Sequence, residues 1–435
     1  MALSASVHLA YLARNIGMDL ILKHEKEARN TTTPLDIQTF FVTQGYGYLL
    51  NTYPVFRRLS SEFINDFFQK QVRFLHNMNS IQPELQTHFS FSCEFTDLSL
   101  STLESHITDK NIHILTFSTG LKIVYKENIC NTDLLWDELC HFINETLDIK
   151  LYGPHIFLAR NTFTIQEYIE HDELNSFQSA SQAYYNYGQL MGILYAFNAC
   201  DMQCENIIMH GSLPVLVDTE TFLQSSSDCN KDISQTYLLP GFQTNANLPE
   251  DFSALASVEG RTSLPFHNRQ TIFPEHYVED LCNGFSDCYR KIQTNTALLL
   301  SFLRDKNWME RIVIRPTWFY VWLRDTSLAS QYLESEEAFL SHLENIFLRK
   351  STTTSENSYS SFIKKCELES LSKGCIPILF RNNTSRKITD CITFYPLYND
   401  ETTSGIQQKL RLLSDDDLQK QIEIIKNSFT KREHL

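Results

Sequence analysis

Apolar positions in the first hundred residues recur at three- and four-residue intervals. Phe40-Phe41, Leu49-Leu50, Val55-Phe56-Arg57-Arg58-Leu59 and Phe63-Ile64-Asn65-Asp66-Phe67-Phe68 follow one another across polar breaks, the spacing of amphipathic helices. The aromatic side chains there read as core. From about residue 111 the interval shortens to two. His113-Ile114-Leu115-Thr116-Phe117 and Leu121-Lys122-Ile123-Val124-Tyr125-Lys126 flank Ser118-Thr119-Gly120, which predicts a hairpin with Val124 and Lys126 on one face. Helical periodicity returns over 133–147, with Leu135, Leu139, Phe142, Ile143 and Thr146 on one side. A second hairpin is predicted over 155–169, turning at Arg160-Asn161. A helix over 182–199 then places Tyr184, Tyr187, Leu190-Met191, Leu194 and Phe197 on one face.

Chemistry-bearing residues begin where that helix ends. Asp201-Met202-Gln203-Cys204-Glu205-Asn206 precedes two apolar runs, Ile207-Ile208-Met209 and Val215-Leu216-Val217, joined by His210-Gly211-Ser212 and closed by Asp218. Asp201 and Asn206 have the spacing of the kinase D-x-x-x-x-N loop, in which the Asp takes a hydroxyl proton and the Asn holds magnesium. The returning strand would bring Asp218 back as the second metal ligand, and magnesium needs only one or two protein carboxylates beside phosphate oxygens. The spacing alone arises by chance in many chains; the apolar hairpin ending in Asp is what gives it weight. Lys126 reads either as a phosphate grip, like the lysine of a kinase V-A-I-K strand, or as an edge lysine in water. The 133–147 helix stands where a kinase places the Glu that pairs with this lysine, and Glu138 and Glu145 are both candidates. Residues 165–169 take the place of a hinge, where the backbone at Glu167 and Ile169 would meet an adenine edge.

Composition narrows the class. A chain of 435 residues with 42% hydrophobic content supports two or three domains. A net charge of -15 without a long basic run argues against a nucleic-acid partner. No run of 18 apolar residues is present, and His8, Arg14 and Asp19 interrupt any signal-peptide core, so a cytoplasmic protein without a membrane span is expected. The eleven cysteines are scattered without a C-x-x-C pair, which predicts reduced thiols; Cys200 and Cys204 flank Asp201 without further zinc-type partners. The Ser/Thr-rich stretch 351–361 reads as a solvated loop.

Together these residues resemble the dehydratase domain of class II lanthipeptide synthetases, the LanM family, over most of the chain from Tyr53-Pro54 onward. The family's D-x-H-x-E-N loop corresponds to Asp201 through Asn206, with Gln203 at its histidine. Its P-V-L-[IV]-D-x-E-T element is matched throughout by Pro214-Val215-Leu216-Val217-Asp218-Thr219-Glu220-Thr221. Y-K-P-R corresponds to Tyr125-Lys126-Glu127-Asn128, and a phosphate-covering D-x-H element to Glu104-Ser105-His106. No G-x-G-x-x-G is present, which disfavours an ordinary protein kinase. Arg311-Ile312-Val313-Ile314-Arg315-Pro316-Thr317 resembles an R-x-x-x-R-x-T segment whose first Arg and final Thr serve phosphate elimination in the family; an extended run would put Arg311, Val313, Arg315 and Thr317 on one face. Gly284-Phe285 with Tyr289, and Gly374-Cys375-Ile376-Pro377, match two further segments read as packing and loop positions.

The resemblance implies an α+β, lipid-kinase-like bilobal fold: a helical region over 1–100, an N-lobe over 101–172, and a C-lobe over 173–435 with activation and elimination segments. It implies phosphorylation of Ser and Thr in a leader-containing precursor peptide by ATP and Mg2+, followed by phosphate elimination to dehydroamino acids. Asp201 would be the base, and Asn206 and Asp218 would hold magnesium. Lys126, Glu104 and His106 would steady phosphates, with Glu220 near the metal or substrate hydroxyl and Arg311 and Thr317 assisting elimination. Gln203 can hydrogen-bond but carries no proton near neutrality, Asn128 stands where the family has Arg, and the span from Glu220 to Arg311 is short for an activation region. These departures keep two alternatives: a kinase that does not eliminate, and a pseudoenzyme that binds nucleotide or leader peptide. A full synthetase would continue into a zinc-dependent cyclase, so the chain is expected to be either a stand-alone dehydratase or one half of a split system with a separate cyclase.

Overall fold

The computed structural model describes residues 46–89, 99–102, 112–127, 131–224, 232–241, 251–315, 317–350, 358–383, 387–389, 394–396 and 402–430. Phe40-Phe41, Glu104, His106, Asn128 and the stretch 351–357 lie outside them. Helices and small antiparallel sheets occupy separate stretches, so the protein is α+β as expected. The chain forms two discontinuous compact units, 1–121 with 314–378 and 122–313 with 379–435.

The elements in chain order begin with helices α1 (Tyr46–Thr52) and α2 (Pro54–Phe89) and strands β1 (Ser99–Thr102) and β2 (Ile112–Thr116). The second unit then supplies β3 (Lys122–Glu127), α3 (Thr132–Leu147), β4 (Ile156–Ala159), β5 (Phe163–Glu167), α4 (Ser179–Ala196), β6 (Ile207–His210), β7 (Leu213–Leu216), β8 (Phe266–His267), β9 (Gln270–Thr271), α5 (Val278–Thr294), α6 (Thr296–Arg304) and β10 (Met309–Ile312). Helices α7 (Thr317–Ser327), α8 (Ser330–Leu333), α9 (Glu336–Lys350) and α10 (Ser358–Ser372) return to the first unit. Strands β11 (Leu379–Asn382), β12 (Lys387–Thr389) and β13 (Phe394–Pro396) and helices α11 (Thr402–Leu412) and α12 (Asp415–Thr430) complete the second.

In the first unit, α2 buries Val55, Phe56, Leu59, Phe74, Met78, Ile81 and Leu85 at helical spacing. The core at its start includes Phe319, Tyr320 and Leu323 of α7 and Phe339 and Leu343 of α9.

In the second unit, α4 and α5 approach closely through glycines. A Cβ on Gly284 would lie 1.9 Å from the Tyr185 carbonyl oxygen, and one on Gly188 would lie 2.1 Å from that of Leu281. Only hydrogen fits at these two crossings. Phe285 and Tyr289 on the same face are fully buried, which agrees with their reading as packing positions. Strands β4 and β5 form the second predicted hairpin, and β5 also pairs with β3 in register Lys126 to Thr164 and Tyr125 to Ile165. Helix α4 ends three residues before the predicted limit, because Asn198 takes a left-handed conformation (φ 62°) and the Ala199 N–H turns back to the Leu194 carbonyl at 2.8 Å. Asn is the commonest residue after Gly to stop a helix in this way.

Candidate active site

Alternation along β3 sends Tyr125 into the core, where it stacks on Phe163 with ring centroids 5.2 Å apart, and turns Lys126 to the other face. Lys126 is only 2% exposed. Its Nζ lies 3.1 Å from Asp133 Oδ1 and 3.5 Å from Asp218 Oδ1, and donates to the Val217 carbonyl at 3.4 Å. Burial works to strip the proton from this ammonium, but the carboxylates of Asp133 and Asp218 outweigh it and hold the pKa above the ordinary lysine value. A buried, charged, doubly paired lysine is not an edge lysine in water.

The partner on α3 is therefore neither of the expected glutamates. Glu138 accepts a hydrogen bond from Lys306 Nζ at 2.6 Å, and Glu145 is exposed. Asp133 does the pairing, because the first turn of α3, rather than its middle, meets Lys126. A carboxylate in a first turn also faces the positive end of the helix dipole. Asp133 Oδ1 accepts a second hydrogen bond, from Thr219 Oγ1 at 2.6 Å. Neither Asp133 nor Thr219 was singled out from the sequence. The available signal was an acidic residue opening a helix, which is common in any protein.

After α4 the chain reaches Asp201, itself left-handed at φ 59°. Such a conformation is uncommon for a residue with a Cβ, and neighbouring segments hold it. The Cys200 N–H donates to the Thr221 carbonyl at 3.1 Å and Thr221 Oγ1 donates back to the Cys200 carbonyl at 2.6 Å. The Met202 N–H donates to the Thr236 carbonyl and the Cys204 N–H to that of Phe252, each at 2.9 Å. Within the loop, Gln203 Nε2 donates to Asp201 Oδ1 at 2.6 Å, and Asn206 Nδ2 donates to the Asp201 carbonyl at 2.7 Å. That bond occupies Nδ2 of the Asn206 amide and leaves Oδ1 as its acceptor atom.

The β6–β7 ribbon pairs Ile207 with Leu216 and His210 with Leu213 around a turn at Gly211-Ser212, where Gly211 has φ 57°. The Val217 N–H donates to the Asn206 carbonyl at 2.9 Å, so Asp218 follows the residue facing Asn206. Asp218 Oδ1 also accepts from the Glu220 N–H at 3.3 Å. Burial raises the Asp201 pKa, Arg311 and Gln203 pull it down, and the charges of Asp218 and Glu205 push it up. Among the described residues no group of three or more His, Cys, Asp or Glu side chains could hold a metal ion. One carboxylate and one amide oxygen suit magnesium that shares phosphate oxygens. Thr164 Oγ1, on the residue paired with Lys126, is buried with no hydrogen-bond partner, the condition of a polar atom in place for a ligand.

Strand β10 brings Arg311 to the same locus. Its N–H donates to the Glu220 carbonyl at 2.9 Å, and its Nη1 lies 3.7 Å from the buried Glu220 carboxylate. The extended run from Arg311 to Thr317 is not formed: β10 ends at Ile312 and Thr317 opens α7 of the first unit. Arg315 binds Glu367 instead, at 2.8 Å. Proline at 316 lacks the N–H that a continuing strand would need. Glu167 closes β5 with its carboxylate accepting the Tyr152 hydroxyl at 2.7 and 2.8 Å. Burial and then that carboxylate push the Tyr152 pKa up to about 12. Ile169 is buried. The expected phosphate ligands Glu104 and His106 fall outside the described residues.

A family profile described as "Domain of unknown function (DUF4135)" matches residues 53–263 and 251–382. The lacticin 481/lactococcin biosynthesis protein LcnDR2 of Lactococcus lactis subsp. lactis is 22% identical over 372 aligned residues, which cover 72% of this chain and 39% of that protein. The chain thus spans well under half the length of this relative. Among the described residues no helix is long and apolar enough to cross a membrane.

Proposed function

The chain belongs to the DUF4135 family, and from that premise we propose that it is a LanM-like lanthipeptide dehydratase with a lipid-kinase-like catalytic fold, using Mg·ATP to phosphorylate Ser and Thr of a precursor peptide and then eliminating the phosphate. The observation that carries the reading is the buried Lys126 ammonium 3.5 Å from Asp218, on a turn hydrogen-bonded to the loop of Asp201, Gln203 and Asn206. The name of the relative LcnDR2 supplies the biosynthetic class.

In this reading Asn206 Oδ1 and the Asp218 carboxylate hold magnesium, which supplies charge neutralisation on the ATP phosphates. Lys126, whose Nζ lies 3.5 Å from Asp218 Oδ1, would hold the ATP phosphates. Asp201 would take the proton of the Ser or Thr hydroxyl as that oxygen bonds to the γ-phosphorus of ATP and the bond from that phosphorus to the bridging oxygen breaks, with ADP as the leaving group. Gln203 engages Asp201 Oδ1 and so presents the other carboxylate oxygen to the substrate. It orients the base and carries no proton.

Elimination breaks the Cβ–O and Cα–H bonds and forms the Cα=Cβ bond. The electron pair of the Cβ–O bond leaves with the phosphate, and the Cα proton would pass to the Asp201 or the Glu220 carboxylate. Arg311 binds the departing phosphate as the replacement for Glu220, its partner at 3.7 Å. Thr317 enters the reading on the sequence resemblance alone.

Gln203, in place of a titratable side chain, favours a second reading in which phosphate is added and not removed. Incubation with ATP, magnesium and a precursor peptide, followed by intact mass, decides between them. Loss of water from the peptide supports the dehydratase. Gain of phosphate supports the kinase, and no change in mass refutes both.

A further inference from the structure

Thr219 lies between the metal-ligand candidate Asp218 and the buried Glu220, yet its side chain points at neither. Its hydroxyl is 2.6 Å from Asp133 Oδ1 and 3.1 Å from Thr132 Oγ1. A threonine hydroxyl has one proton to give. The shorter contact, to a carboxylate, is the stronger claim on it, and the Thr132 Oγ1 contact at 3.1 Å is the weaker. The Asp133 oxygen that accepts from Thr219 also receives Lys126 Nζ at 3.1 Å. One carboxylate oxygen therefore joins the lysine of β3, the first turn of α3, and the turn that carries Asp218. Lys126, Asp133 and Thr219 are closed to solvent, with Thr219 1% exposed and Asp133 4%.

We propose that Thr219 is a positioning residue that couples the Lys126 grip to the metal ligand Asp218, by holding Asp133 in register with the Asp218 turn. The proposal rests on the reading of this locus as a Mg·ATP site. Without the hydroxyl, Asp133 loses a charge-assisted donor and draws more strongly on the Lys126 ammonium, and the Asp218 turn loses its tie to α3. The two sides of the site then keep the Lys126 contacts with Asp218 and the Val217 carbonyl but lose the direct tie from the Asp218 turn to α3.

The test is calorimetric titration of the full chain with ATP, in magnesium and in EDTA, for wild type, Thr219→Val and Thr219→Ser, with a thermal melt of each. Thr219→Val keeps the shape and removes the hydroxyl; Thr219→Ser keeps the hydroxyl. The expected result is Mg·ATP affinity about tenfold weaker in Thr219→Val, a change of about 1.4 kcal/mol. Thr219→Ser should stay within about twofold of wild type, and magnesium should strengthen ATP binding less in Thr219→Val than in wild type.

Wild-type affinity in Thr219→Val, or an equal loss in Thr219→Ser, overturns the coupling while leaving the Mg·ATP reading intact. Should Thr219→Val fail to fold, Thr219→Ala supplies the same comparison. A wild-type chain that does not bind Mg·ATP refutes the Mg·ATP reading and the coupling with it.

Discussion

Asp133→Asn discriminates most sharply among the carboxylates of α3. Opposite unit charges 3.1 Å apart interact by about 5 kcal/mol at an effective dielectric near 20, and the cost of taking both out of water offsets much of that. Removing one member of a buried pair nevertheless costs about 3–5 kcal/mol, because the other charge is left behind. Asn keeps an oxygen for Thr219 and Lys126, so the lower end, about 3 kcal/mol, is expected. Glu138 is the control. Its bond to Lys306 joins two half-exposed side chains, and Glu138→Gln should cost no more than about 1 kcal/mol. Urea unfolding at neutral pH, followed by tryptophan fluorescence, measures both.

The pH dependence adds a second check. Lys126 has its folded pKa raised above the ordinary 10.5, so its stabilisation is full below that pH and is lost as the pH rises through the higher folded value. The difference between wild type and Asp133→Asn should stay constant through neutral pH and narrow in strong alkali. A cost below about 1 kcal/mol for Asp133→Asn, or an equal cost for Glu138→Gln, would refute the assignment of Asp133 as the lysine's partner.

Gly284→Ala and Gly188→Ala should each destabilise the chain by about 3 kcal/mol or more, since the new methyl meets a backbone carbonyl that cannot swing away. Gly47→Ala, with nothing within 4 Å of the new Cβ, should be neutral or slightly stabilising in the same thermal melts. Gln203→Leu removes a hydrogen bond that lowers the Asp201 pKa. A base that must be ionised then needs a higher pH, so the acid limb of the pH–rate profile should move upward. A limb that stays in place would mean that Asp201 is not the titrating base.

Local pattern carried a good part of this protein. Two-residue alternation in β3 specified that Lys126 and Tyr125 face opposite ways, and apolar runs on either side of Gly211 specified the ribbon from Asn206 to Asp218. Both depend on backbone geometry within a few residues, which periodicity and turn chemistry encode directly. Partner choice was not legible. Glu138, Glu145 and Asp133 are all carboxylates on one helix, and the selection of Asp133 depends on how α3 slides and rotates against β3, which side chains distant in sequence decide. Arg311 reaches Glu220 through a backbone bond across 91 positions of chain, and the Thr219 hydroxyl reaches back 86 positions to Asp133. The extended run that would have put Arg311 and Thr317 on one face is not formed, for the converse reason. Alternation described what those residues would do if extended, and the structure starts a helix there instead. Chemistry-bearing residues are visible one at a time along a chain, whereas the distances that make them a site exist only once the segments between them have packed.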